Sequence, residues 1–83
     1  MKGGLSHEQS VALLRAAVLL GRHGAILSDF ERELVETCIL RLRDQGDRAT
    51  VTSNEWTVIQ EAVAGMSAAR EDALRLASAK AGG

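Results

Sequence analysis

Apolar residues recur along this chain at spacings of three and four, the period of an amphipathic helix, and the elements predicted are all helices. Three segments carry that period, and each opens with the same short signal. An aliphatic residue is followed by Ser or Thr, then two residues, then Gln or Glu: Leu5-Ser6-His7-Glu8-Gln9, Leu27-Ser28-Asp29-Phe30-Glu31 and Val51-Thr52-Ser53-Asn54-Glu55. In such a capping box the hydroxyl accepts a hydrogen bond from the third helical N–H, while the Gln or Glu reaches back to the N–H of the capping residue. Glycines at 21 or 24 and at 46 mark helix ends. The reading is an all-α chain, a small bundle of three or four helices over 6–22, 28–45 and 52–79. These make one domain across 1–83, with ends at 1–4 and 80–83 that lack packing material.

The faces of the predicted helices differ. On the second, Phe30, Leu34, Val35, Cys38, Ile39 and Leu42 form an apolar side opposite Arg32, Glu33, Glu36, Arg43 and Asp44, and Leu40 projects from the charged side. On the third, Val58, Ile59, Ala62, Val63, Met66, Ala69, Ala73, Leu74, Leu76 and Ala77 share one broad face that continues across Gly65, where a kink is the alternative to a straight helix. The first helix is apolar almost all round, with only Glu8, Arg15 and Arg22 as a narrow polar stripe. Two neighbours cover only part of such a helix. Either the third segment bends near Gly65 and folds back as a fourth wall, or another chain supplies the cover. Length points the same way: at ~1.5 Å per residue the third helix runs roughly 40 Å against roughly 24 Å for the first, so it overhangs the bundle.

Size sharpens this picture. A chain of 83 residues buries only roughly 60–65% of the surface its unfolded form exposes, which leaves a thin stability margin. The usual staples are missing: a single cysteine, Cys38, closes no intrachain disulfide, and His7 and His23 lie too far apart for metal-ligand spacing. Partner binding or self-association remains. Acidic and basic residues are interspersed at a net charge of −1, without the basic stripe of a nucleic-acid binder. The N-terminus does not read as a secretory signal, and the most apolar run, Val11 to Leu20, is half the length of a membrane span and interrupted by Arg15. A cytoplasmic protein with no membrane association is expected.

Candidate chemistry is sparse. Catalysis needs converging groups in a concave site, and the carboxylates here are explained by capping or solvated faces. The expectation is a non-enzymatic protein with no cofactor and no metal. Cys38 reads as a small buried hydrophobe. Trp56 stands four residues into the third helix, where Val51 would staple it to the chain entry, although tryptophan also anchors binding surfaces. The run from Arg48 to Trp56 loosely resembles entry into a DNA-reading helix, with Asn54 and Thr57 available to bases. Its connection is too long for a tight helix-turn-helix, however, and Glu55 opposes phosphate. A DNA-binding regulator is therefore the alternative, and DNA binding is not the expected activity.

The central stretch LSDFERELVETCILRLRDQGDRATVTSNEWTVIQEAV, two capping-box helices joined by a Gly-Asp-Arg-Ala loop, resembles the QseM-type antiactivators of bacterial integrative and mobile elements. The resemblance covers about half the chain. It implies a regulator that sequesters a transcriptional activator and so represses excision or transfer, without cofactor or chemistry of its own. Small phage-type inhibitors of host defence proteins look similar. Periodicity and surplus apolar positions nominate Leu40, Trp56, Arg70, Leu74 and Leu76 as protein-binding residues, toward a regulatory protein or a second copy in a homodimer.

Overall fold

A computed structural model describes residues 4–82, apart from the side chains of residue 47 and residues 79–82. Three α-helices make up the described chain: α1 (His7–His23), α2 (Asp29–Gln45) and α3 (Ser53–Gly82). Single 3-10 turns at Gly24–Ile26 and Gly46–Arg48 connect them. The architecture is a small all-α bundle.

Each helix starts at its predicted capping box. Ser6 Oγ accepts from the Gln9 N–H at 3.1 Å and Gln9 Oε1 accepts from the Ser6 N–H at 3.0 Å. The Ser28/Glu31 pair repeats this at 3.1 and 3.0 Å, and Thr52/Glu55 at 3.0 and 2.9 Å. These bonds satisfy donors that the first helical turn leaves without intrahelical partners. Gly24 closes α1, its N–H donating to the Leu20 carbonyl. Gly46 closes α2 with φ +57° and ψ −124°, a backbone conformation that side-chain-bearing residues rarely adopt.

Short connections force the helices to alternate up, down, up. Glu8 near the start of α1 lies level with Trp56 and Gln60, and Arg22 and His23 at its end lie level with Ala73 and Leu74, so α1 and α3 run parallel. Between them α2 runs the other way, bringing Arg41 near its C-terminus to Glu55 at the start of α3. The core collects one stripe from each helix: Leu13, Ala16 and Leu19 from α1, Val35 and Cys38 from α2, and Ile59, Ala62 and Met66 from α3. Leu27 seals one end between α1 and α2. Ala49 is buried in the connection at the other.

The fourth wall does not form. α3 continues as an unbroken α-helix through Gly65 to Gly82, three residues beyond the predicted end at 79. One glycine inside a helix costs only about 1 kcal/mol relative to alanine, and the buried residues on both sides of it, Ala62 and Met66, hold one register against the core. The Ile26 side chain lies beside Gly65, with Cδ1 3.6 Å from the position a Cβ would take. Of the ends expected to lack packing, residues 1–3 and 83 and the side chains of 80–82 lie outside the described residues.

Phe30 departs from its predicted place on the apolar side of α2: it is 66% exposed. At 100° per residue it points about 110° away from the direction shared by Val35, Cys38 and Leu42, and it sits in the first turn at the end of the bundle. The apolar stripe of α3 is also only partly used. Ile59, Ala62 and Met66 are buried, whereas residues 70–78, including Ala73, Leu74, Leu76 and Ala77, are all exposed. Because α1 ends level with Leu74, the last two turns of α3 stand clear of the other helices, in a molecule measuring 54 × 24 × 19 Å.

Candidate protein-docking surface

The surplus on α1 becomes a surface feature. Leu13, Ala16 and Leu19 take the buried face, which leaves Val11, Leu14 and Val18 as a ridge on the solvent side, Leu14 being 60% and Val18 79% exposed. Spacings of three and four align these residues along about two turns. The ridge borders an open groove between α1 and α3 that runs from Glu8 and Trp56 at one end to Arg22 and Leu74 at the other. Its midsection, about 640 Å³, is lined by Val11, Leu14, Arg15, Val18, Leu19, Ser67, Arg70 and Glu71. Contiguous apolar surface of this kind, edged by polar groups, marks a site for protein contact more often than bare solvent-facing helix does.

Three of the five arginines outside the groove, all but Arg43 and Arg48, are ion-paired among the described residues. Arg32 pairs with Asp29 at 3.1 Å, Arg41 with Glu55 at 2.9 Å and Arg75 with Asp72 at 3.5 Å. Arg15, Arg22 and Arg70, all lining the groove, have no ion-pair partner among the described residues. Three guanidinium groups therefore stand around an apolar floor, with Glu8 and Glu71 as the acidic side chains of the lining. Arginine suits such a place because its planar fork binds carboxylates bidentately.

Of the five nominated residues, the structure brings three to this groove: Trp56 at one end, Arg70 in the middle and Leu74 at the other end. Leu40 and Leu76, 54% and 66% exposed, lie outside its lining. Trp56 and Val51 are both half-buried against the core, as the staple requires, so the indole packs inward and also edges the groove. Sequence reasoning missed Val11, Leu14 and Val18 as individual site residues. The excess of apolar positions on the first helix was visible, but their assignment to core or surface depends on which arc of α1 the neighbours cover.

At the Trp56 end of the bundle, Arg41 and Glu55 are consumed by each other. Arg41 donates to both carboxylate oxygens of Glu55, at 2.9 and 3.2 Å, and to the Thr50 carbonyl at 2.9 Å. The Arg41 guanidinium holds the Glu55 carboxyl below its ordinary range, helped by the Thr52 N–H. This pair ties α2 to the start of α3. Arg41 is thereby occupied with a carboxylate, and Thr57 Oγ1, one of the two side chains offered to bases, donates to the Ser53 carbonyl.

Burial pushes the Cys38 thiol up, the negative charge of Glu55 adds to this, and Arg41 opposes it. The protonated thiol behaves as a core hydrophobe. Among the described residues no group of three or more His, Cys, Asp or Glu side chains is placed to hold a metal ion, and no helix is long and apolar enough to cross a membrane. The fold and surface thus define a three-helix bundle carrying an open, arginine-edged apolar groove. Compared with known proteins, the chain matches no family model, no curated protein and no solved structure.

Proposed function

We propose that this protein is a small non-enzymatic regulator that works by occluding a surface of a regulatory protein, with the α1 ridge and the adjoining groove as the contact. The observation that carries the reading is the exposed line Val11, Leu14 and Val18 beside Arg15, Arg22 and Arg70, which have no ion-pair partner among the described residues. A fold this small gains little by exposing aliphatic side chains unless another surface covers them. The resemblance of the central helices to QseM-type antiactivators supports a transcriptional activator as target, with repression of mobile-element excision or transfer as the outcome, in the cytoplasm.

The test is capture of binding proteins by tagged wild-type protein after nuclease treatment, in parallel with Leu14→Asp and Val18→Asp variants whose fold is checked by circular dichroism. One nuclease-resistant regulatory protein, retained by wild type and lost from both variants, is expected. Co-expression of the wild type should then silence a reporter driven by that regulator. Capture unchanged by both substitutions would move the site elsewhere, and retention that requires DNA would replace the reading with a DNA-binding regulator.

A further inference from the structure

The solvent side of α1 is regular as well as exposed. Val11, Leu14 and Val18 are followed at the same three-and-four spacing by Gly21, and Arg15 and Arg22 stand seven residues apart beside them. These are the seam and flanking positions of a heptad, the pattern by which one helix receives another. At Gly21 nothing lies within 4 Å of the position an added Cβ would take, so the seam ends in open space that a large side chain of an occupant can fill. An extended strand repeats every two residues and does not keep step with such a seam.

Charge then selects the kind of helix. From its midsection to the Leu74 end, the groove lining holds Arg15, Arg22, His23 and Arg70 against a single carboxylate, Glu71. The three arginines have no ion-pair partner among the described residues. Arg15 and Arg22 lie about 10 Å apart along α1, close to two turns, so an occupant that pairs with both presents carboxylates at the same seven-residue interval. α1 has one acidic residue, Glu8, so a second copy of α1 does not supply them. A phosphate backbone pairs with arginines but leaves Val11, Leu14 and Val18 uncovered.

We infer that the groove takes an acidic amphipathic helix of the partner protein, aliphatic along the seam and carrying carboxylates seven residues apart beside it; this rests on the groove being the docking surface proposed above. The apolar contact supplies affinity to any helix of the right shape. The arginines choose among such helices and fix the register, since their planar forks bind carboxylates bidentately. A basic helix of the same shape is rejected, because like charges then meet beside an apolar floor.

Two synthetic peptides of about three heptads test the inference on the full chain. Both carry Leu at the seam positions and differ only in Glu or Lys at the flanking ones, and like charges keep either peptide from pairing with itself. By fluorescence anisotropy of an attached dye, the protein should bind the acidic peptide at least about tenfold more tightly than the basic one. Leu14→Asp should weaken that binding about tenfold while helicity is kept. Raising salt from about 0.05 M to about 0.5 M should shrink the preference, a result that needs no variant. Arg15→Glu, Arg22→Glu and Arg70→Glu combined, all at exposed positions, should reverse it. Failure of both peptides to bind, equal binding, or a preference unmoved by salt or by the charge reversal would overturn the inference. So would displacement of the acidic peptide by duplex DNA at about 0.15 M salt, which would give the arginines to phosphate. A regulatory protein captured through the ridge while the two peptides bind alike would sink this inference and leave the proposed function standing. An acidic-peptide preference with no regulatory protein captured would do the opposite.

Discussion

The two halves of α3 share a helical period and a similar alternation of small and aliphatic residues, yet they have opposite fates. From Thr52 to Met66 the helix is capped, ion-paired and packed, with Ile59, Ala62 and Met66 at most 1% exposed. From Arg70 to Ser78 every residue faces solvent. The difference lies outside α3. α1 and α2 have 17 residues each and α3 has 30, so the bundle runs out of neighbours before α3 ends. An apolar stripe is buried only as far as something stands opposite it, and a stripe that continues past that point is available for contact with another molecule.

The largest effect that would break this contrast lies in the packed half. Ile59→Ala removes a fully buried branched side chain and leaves a cavity, at a cost of about 2–5 kcal/mol. That is a large share of the roughly 4–12 kcal/mol expected for a chain of this length. Leu76→Ala, at a residue 66% exposed, should fall within about 0.5 kcal/mol of wild type. Urea unfolding of the two variants, at a concentration where the protein is monomeric, checks both values. Comparable losses would mean that the overhang packs in solution.

A smaller effect tests what locks the packed half. Glu55→Gln keeps an acceptor for the Thr52 N–H and removes only the charge facing Arg41, so it isolates the ion pair from the cap. The side chains of Arg41 and Glu55 are 28% and 22% exposed, and the expected cost at pH 7 is about 1 kcal/mol. Because the folded carboxyl titrates below its ordinary value of 4.5, this stability is present above that pH and is lost as pH falls through the folded value. The gap between wild type and variant should therefore be full at pH 7 and close in acid. A gap independent of pH would show that the loss comes from packing.

How much of this was legible in the sequence follows the range of the interactions involved. Helix starts are decided by side chains three residues apart, and all three boxes were readable as written. Arg41 and Glu55 are separated by fourteen residues, and nothing local distinguishes Arg41 from Arg43 or Arg48 as the one that turns toward α3. The surplus on the first helix was countable, but which of its aliphatic residues stay outside depends on the arcs covered by α2 and α3. Phe30 fits the period of its helix loosely, and the end of the bundle decides that it stays in water. Trp56, Arg70 and Leu74 reach one groove because α1 and α3 run parallel, a fact of topology that no single helix encodes.

Gly65 sits where the two halves meet, and its replacement gives the finest test of their difference. The residue is helical with negative φ, since Gly46 is the glycine with positive φ among the described residues. Its nearest neighbour, Ile26 Cδ1, would lie 3.6 Å from an added Cβ, an ordinary van der Waals separation. Gly65→Ala therefore meets no clash and removes backbone freedom from the unfolded chain, so it should stabilise by about 0.5–1 kcal/mol. If the glycine also softens the junction, amide exchange along residues 68–78 should slow in the variant while that of 54–64 changes only with global stability. A destabilised variant would instead mean that Ile26 needs the bare glycine surface, and that the junction is held by close approach between the 3-10 turn and α3.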